Sequence, residues 1–167
     1  MRCLNTTGYL NFRMRAMLVR VATHHLWQPW QAITGHLAQQ FLDFEPGIHF
    51  PQVQMQAGVT GTNTVRMYNP VKQGQDHDPE GQFIREWVPE LRTCPDAYLH
   101  EPWTMPPLEQ EFSNFRIGID YPAPLVDLAT AARKARETIW GHRSNPLVQS
   151  EQDRILAKHI VPGPRNA

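Results

Sequence analysis

Residues 76–91 read DHDPEGQFIREWVPEL, and two structures compete for them. Asp76, Asp78, Glu80 and Gly81 occupy the first, third, fifth and sixth positions of an EF-hand calcium loop. Such a loop closes with a bidentate glutamate at its twelfth position, and here that position is Trp87. A helix start accounts for the same residues without a missing ligand. Asp78 is then the N-cap, Pro79 the first helical residue, and Glu80 lies at the positive end of the helix dipole. Phe83, Ile84 and Trp87 form the apolar side of a helix from Pro79 to about Val88.

Helical punctuation extends in both directions. On the N-terminal side, residues 43–74 are rich in Pro, Gly, Gln and Thr and read as one irregular connection, long enough to be functional. Before it lies a helix from Trp30 to Leu42, with Ile33, Leu37 and Phe41 inward and Pro29 at its start. The first helix carries Leu10, Met14, Met17, Leu18, Val21 and His25 on one buried stripe, capped by Thr6 or Thr7. Arg13 and Arg20 flank that stripe on one side and Arg15 on the other. On the C-terminal side, Pro106 or Pro107 opens a short polar helix, and residues 116–126 form a loop. A helix over 127–140 then presents Leu128, Ala132, Ala135 and Ile139 on one face. A weak helix near 149–160 ends the chain. No stretch alternates as a strand does. The expected fold is all-α with long Pro/Gly-rich loops: one helical domain, 1–140, and a polar tail, 141–167.

The 167 residues suffice for one core. Sixteen basic and sixteen acidic residues cancel, so no global field draws the chain to nucleic acid, and polyanion binding requires a local patch. No apolar run reaches the ~18 residues of a membrane helix, and no signal-peptide core opens the chain. Cys3 and Cys94 form no C-x-x-C pair. These features fit a cytoplasmic chain with free thiols.

DFEPGIH, residues 43–49, gathers Asp43, Glu45 and His49 around a Pro46–Gly47 turn. The candidates are a metal site, an acid–base pair or a cofactor cradle. His24 and His25 are adjacent on a helix, point about 100° apart and do not readily share a metal, and His25 falls in the apolar stripe. No nucleophile elbow is present, Cys94 precedes Pro95 in a loop, and GVTG at 58–61 matches no phosphate-binding pattern. No metal is expected. A planar heterocycle with imide-like edges calls for a carboxylate at one edge and a cationic donor near another. Arg15 can face Asp43 across the first two helices, and a buried pair of that kind marks a site more than it stabilises a fold.

The order and spacing of several segments resemble the FAD-binding domain of the DNA photolyase and cryptochrome family. These are MRCLNTTGYLNFRMRAM (1–17), HHLWQPW (24–30), FLDFEPG (41–47), RMYNPVKQGQDHDPEGQFIREWVPEL (66–91), HEPW (100–103) and DYPAPLVD (120–127). The resemblance covers roughly residues 1–137 and corresponds to the C-terminal half of that domain. It implies an all-helical fold holding FAD in a bent shape. In the family's repair enzymes the reduced flavin, on absorbing light, gives an electron to a pyrimidine dimer flipped out of DNA. By the same resemblance, Arg15 and Asp43 match an ion pair against the isoalloxazine ring, Glu45 a second acidic position at its pyrimidine edge, and His49 the residue facing flavin N5, where an imidazole is expected to donate. Arg13 and Arg66 match positions near DNA phosphate, and Trp30 the middle of an electron-hopping series. Val53 and Met55 stand where the flavin-proximal and lesion-stacking tryptophans are usual, and Phe12 replaces a frequent Asn. The resemblance therefore implies a light-driven repair lyase. The rival readings are a blue-light sensor without repair, or a split or truncated piece that binds no flavin alone, with the N-terminal half of the domain expected on another chain.

Overall fold

Prolines and capping side chains set most of the helix starts. The computed structural model describes residues 1–60 and 66–159, and among them the regular elements are helices, with one isolated bridge between Ile117 and Tyr121. The α-helices are α1 (Arg2–Thr7), α2 (Phe12–Arg20), α3 (Trp30–Gln40), α4 (Pro46–Ala57), α5 (Pro70–His77), α6 (Gln82–Trp87), α7 (Pro107–Ser113), α8 (Leu128–Arg143) and α9 (Pro146–His159). Short 3-10 turns occupy Pro89–Leu91, Asp96–Tyr98 and Pro102–Thr104.

Several sequence expectations change. The connection expected over 43–74 contains two helices. Pro46 and Pro70 each open one, with Glu45 accepting from the Ile48 amide and Asn69 from those of Val71 and Lys72. Asn11, not Thr6 or Thr7, caps α2 through the Met14 amide; Thr7 instead ends the separate helix α1. Asp78 does cap α6, but from outside it: the helix starts at Gln82, so Pro79 and Glu80, expected as its first turn, precede it. Gly81 intervenes at φ 67°, and the Asp78 carboxylate accepts from the amides of Phe83 and Ile84 at 3.1 and 3.0 Å. A Cβ on Gly81 would lie 1.8 Å from Leu99 Cδ2, so position 81 demands glycine for both its backbone and its space.

After α2 the helix widens into a π turn over Val21–His25. Together with coverage by other elements, this redistributes the buried face. Ala16, Val19, Arg20, Thr23, His24 and His25 are buried, while Met14, Met17, Leu18 and Val21 are only half-buried. The flank expected to carry both Arg13 and Arg20 is therefore divided: Arg20 is interior and Arg13 is exposed.

Two small cores result. Leu4, Leu10, Val19, Leu37, Phe41 and Val53 centre the first; Leu91, Cys94, Leu99, Met105 and Phe115 form the second. Helix α6 lies at the seam, with Phe83 packed on the first core and Ile84 on the second. Arg85 organises the turn that follows. It donates to the carbonyls of Leu91, Arg92 and Cys94 and pairs with Asp96. Arg2 reaches from α1 to Glu90, both nitrogens engaged at 2.6 and 2.7 Å.

Candidate cofactor site

The end of α1 and the end of α3 meet at Gly8. Its φ of 68° turns the chain, and its carbonyl accepts from the Leu42 amide at 3.0 Å. A Cβ there would strike Leu42 Cγ at 2.4 Å. This close approach fixes the next residue, Asp43, beside α2. Arg15 Nη2 donates to both Asp43 oxygens, at 2.9 and 2.8 Å, and its Nε donates to the Leu10 carbonyl at 2.6 Å. The guanidinium lies 4.1 Å above the Phe41 ring, a cation–π contact that helps fix its plane. Arg15 holds the Asp43 carboxyl below its usual range.

The pair is not the buried one expected. The Arg15 and Asp43 side chains are 25% and 54% exposed, so desolvation is modest and the pair alone contributes at most about 1 kcal/mol. Its importance is positional. It rims a cleft whose walls are Ala16, Val19, Leu37, Phe41 and Val53, with Glu45, His49, Gln52 and Gln56 supplying polarity. Glu45 both lines this cleft and caps α4, its carboxylate packed against Gly47.

His49 is buried among Phe41, Phe44 and Phe50, each edge-on at 6.0, 5.3 and 5.4 Å. Its Nε2 lies 3.0 Å from the Thr34 carbonyl and 3.1 Å from the Thr34 hydroxyl. A carbonyl only accepts, so Nε2 carries the proton and, in the neutral ring, Nδ1 is left as an acceptor. The Gln52 Oε1 atom, on the cleft wall, is buried with no partner among the described residues.

The remaining predicted residues lie elsewhere. Trp30 opens α3 and packs on the first core without lining the cleft. Arg13 is exposed on the opposite side of α2, in a separate trough. Arg66 is exposed, and its carbonyl accepts from Arg20 at 2.5 Å. Arg20, expected only as a flank of the first helix, also donates to Gln56 Oε1 at 2.7 Å and lies 4.0 Å over the Tyr68 ring. No carboxylate pairs with it among the described residues. No group of three or more His, Cys, Asp or Glu side chains able to hold a metal occurs among the described residues.

A family model described as the FAD binding domain of DNA photolyase matches residues 1–141. The chain belongs to that family. A cryptochrome DASH from Gloeobacter violaceus is 34% identical over 141 residues, 84% of this chain and 28% of the relative. A deoxyribodipyrimidine photo-lyase from Alkalihalophilus pseudofirmus is 35% identical over 138 residues, 81% of this chain and 29% of the relative. An archaeal photolyase structure from Sulfolobus tokodaii, described with two FAD molecules, superposes with a TM-score of 0.71 at 28% identity, covering 85% of this chain and 30% of that one. This photolyase-family chain therefore spans less than a third of the length of these relatives. Its fold is the all-helical one of the FAD-binding domain, and its cofactor is FAD.

The residues fit one side of such a cofactor. An apolar wall suits a flat ring, the Arg15–Asp43 pair offers a cation and an acceptor at its edge, and the Gln52 oxygen lacks a donor. The cleft measures about 160 Å³, well below the ~300–1,000 Å³ of complete ligand pockets. These residues form a wall rather than an enclosure.

Proposed function

We propose that this chain forms the Arg15–Asp43 wall of the FAD pocket in a light-driven flavoprotein of photolyase type, a lyase acting on pyrimidine-dimer DNA. The observation that carries this reading is the cleft itself, an apolar wall with one cation–carboxylate pair on its rim. When bound, FAD supplies a light-absorbing electron donor. Arg15 would present positive charge beside the anionic reduced ring, and its Nη1 makes no hydrogen bond among the described residues. Asp43, kept ionised by Arg15, would accept from an N–H at the ring edge. Phe41 and Val53 exclude water, and His49, held by Thr34, offers Nδ1 as an acceptor. Arg13 and Arg66 serve as phosphate contacts for DNA. The remainder of the pocket comes from the family polypeptide outside the matched span. The two free thiols suit a cytoplasmic setting.

A blue-light sensor without repair is the second reading, favoured by one observation. No tryptophan or tyrosine lines the cleft among the described residues, in keeping with the resemblance, by which Val53 and Met55 stand where tryptophans are usual. Irradiation of dimer-containing DNA with the flavin-loaded, fully reduced assembly separates the two. Light-dependent loss of dimers supports repair; flavin photochemistry with all dimers retained supports the sensor.

A further inference from the structure

Two arginines of α2 mark the two ends of the cofactor cleft. Arg15 meets Asp43 at the rim, just before α4 begins, and Arg20 meets Gln56 in the last turn of α4. Arg20 stands behind the cleft wall; Gln56 lines it and is 6% exposed. The contact between them fixes what Gln56 presents. A guanidinium only donates, so the amide atom 2.7 Å from Arg20 Nε is the oxygen, and Nε2 is left as a donor. That Nε2 makes no hydrogen bond among the described residues. Arg20 is itself held in place. The Arg66 carbonyl accepts from its Nη1 at 2.5 Å, and its guanidinium carbon lies 4.0 Å from the centre of the Tyr68 ring.

One helical turn earlier on the same face of α4, Gln52 Oε1 is buried without a partner among the described residues. The inner end of the cleft thus offers a donor and an acceptor about 6 Å apart along the helix. Gln56 lies about 10 Å along α4 from His49, beyond the groups assigned to the flavin. The rim carboxylate of Asp43 takes the flavin's N–H edge under the proposed function, so the two amides face a second group. A donor and an acceptor together call for a ligand that carries both. The Watson–Crick edge of a pyrimidine does, with a ring carbonyl next to a ring N–H in thymine. In an intact duplex the partner base occupies that edge. A cyclobutane dimer leaves its atoms unchanged and weakens the pairing, which frees the edge once the base is flipped out.

We propose that Gln52 and Gln56 read the Watson–Crick edge of a damaged pyrimidine. Gln56 Nε2 donates to a ring carbonyl, Gln52 Oε1 accepts from a ring N–H, and Arg20 is the positioning residue behind Gln56. The inference rests on the reading of this chain as part of a dimer-binding protein. The probe is a duplex oligonucleotide with one thymine–thymine cyclobutane dimer, compared with the same duplex undamaged, bound in the dark by the flavin-loaded assembly. Gln56→Glu keeps the shape and the pairing to Arg20 but removes the donor; Gln52→Leu removes the acceptor. Each is expected to lower the damaged-to-undamaged affinity ratio about tenfold, the effect of leaving one hydrogen-bonding group unpaired, with flavin retained and the melting midpoint of Gln56→Glu not lowered. Arg20→Met, which frees the Gln56 amide to flip, lowers the same ratio, and Arg20→Lys restores it. A ratio unchanged in Gln56→Glu, Gln52→Leu or Arg20→Met overturns the assignment and leaves the dimer-binding reading standing. Equal loss of affinity for both duplexes reports only altered charge and also overturns it. A wild-type assembly that retains flavin without preferring the damaged duplex overturns the dimer-binding reading and this inference with it.

Discussion

Arg20 has become a buried cation because its acceptors come from far along the chain. Gln56 on α4 and the Arg66 carbonyl replace water, and burial lowers the guanidinium pKa from its usual value. Arg20→Met is predicted to leave both acceptors unpaired, at about 1–3 kcal/mol each. Thermal melting checks this; an unchanged midpoint would contradict it. His24 and His25 are also held down by burial. Their folded values lie below the unfolded 6.5, so the unfolded chain binds more protons as acidity rises. Stability is therefore full above about pH 6.5 and declines below it, which urea midpoints across that range measure; a flat profile would count against the buried neutral pair. Little of this was legible in the sequence. A uniform 100° wheel cannot anticipate a π turn, and it set Arg20 on the same flank as the exposed Arg13. Arg15 and Asp43 were legible as a pair through the family resemblance, whereas the tautomer of His49 needed Thr34 in place.

At the scale of elements, proline was the misleading signal. Pro46–Gly47 reads equally as a turn or as a helix start, and only the Glu45 cap, visible once Ile48 is folded over it, decides for a helix. Pro51 within α4 further obscured its period. Around residue 81 the helix and its apolar triplet were legible, but its start was not: Gly81 at φ 67° delays it to Gln82, three residues past the expected Pro79. Gly81→Ala is predicted to cost about 2 kcal/mol or more, from the positive φ and the collision with Leu99. Asp78→Ala, which removes one cap, is predicted to cost about 1 kcal/mol. Denaturant unfolding ranks the two; the reverse order would show that α6 does not depend on this turn.

Across the whole molecule, two small cores are joined at α6 and tied by Arg2 to Glu90. The Arg2 guanidinium lowers the Glu90 carboxyl to about 2. A depressed folded value means that the contribution is present above about 4.5 and is lost as pH falls through about 2. Glu90→Gln should therefore be less stable than wild type at neutral pH and converge with it in strong acid; a constant gap would argue against the ion pair. The cofactor cleft is a rim on the first core. Asp43 reaches Arg15 only because Gly8 and Leu42 bring two helix ends together, which makes the site a property of the fold as much as of the motif. The most direct measurement is FAD titration of the assembled protein, followed by the flavin's visible absorption after removal of free flavin, for wild type and Asp43→Asn. Retained flavin in wild type and affinity reduced by about tenfold or more in Asp43→Asn is the predicted result. Equal retention by both, or none by wild type, would contradict the assignment of this cleft.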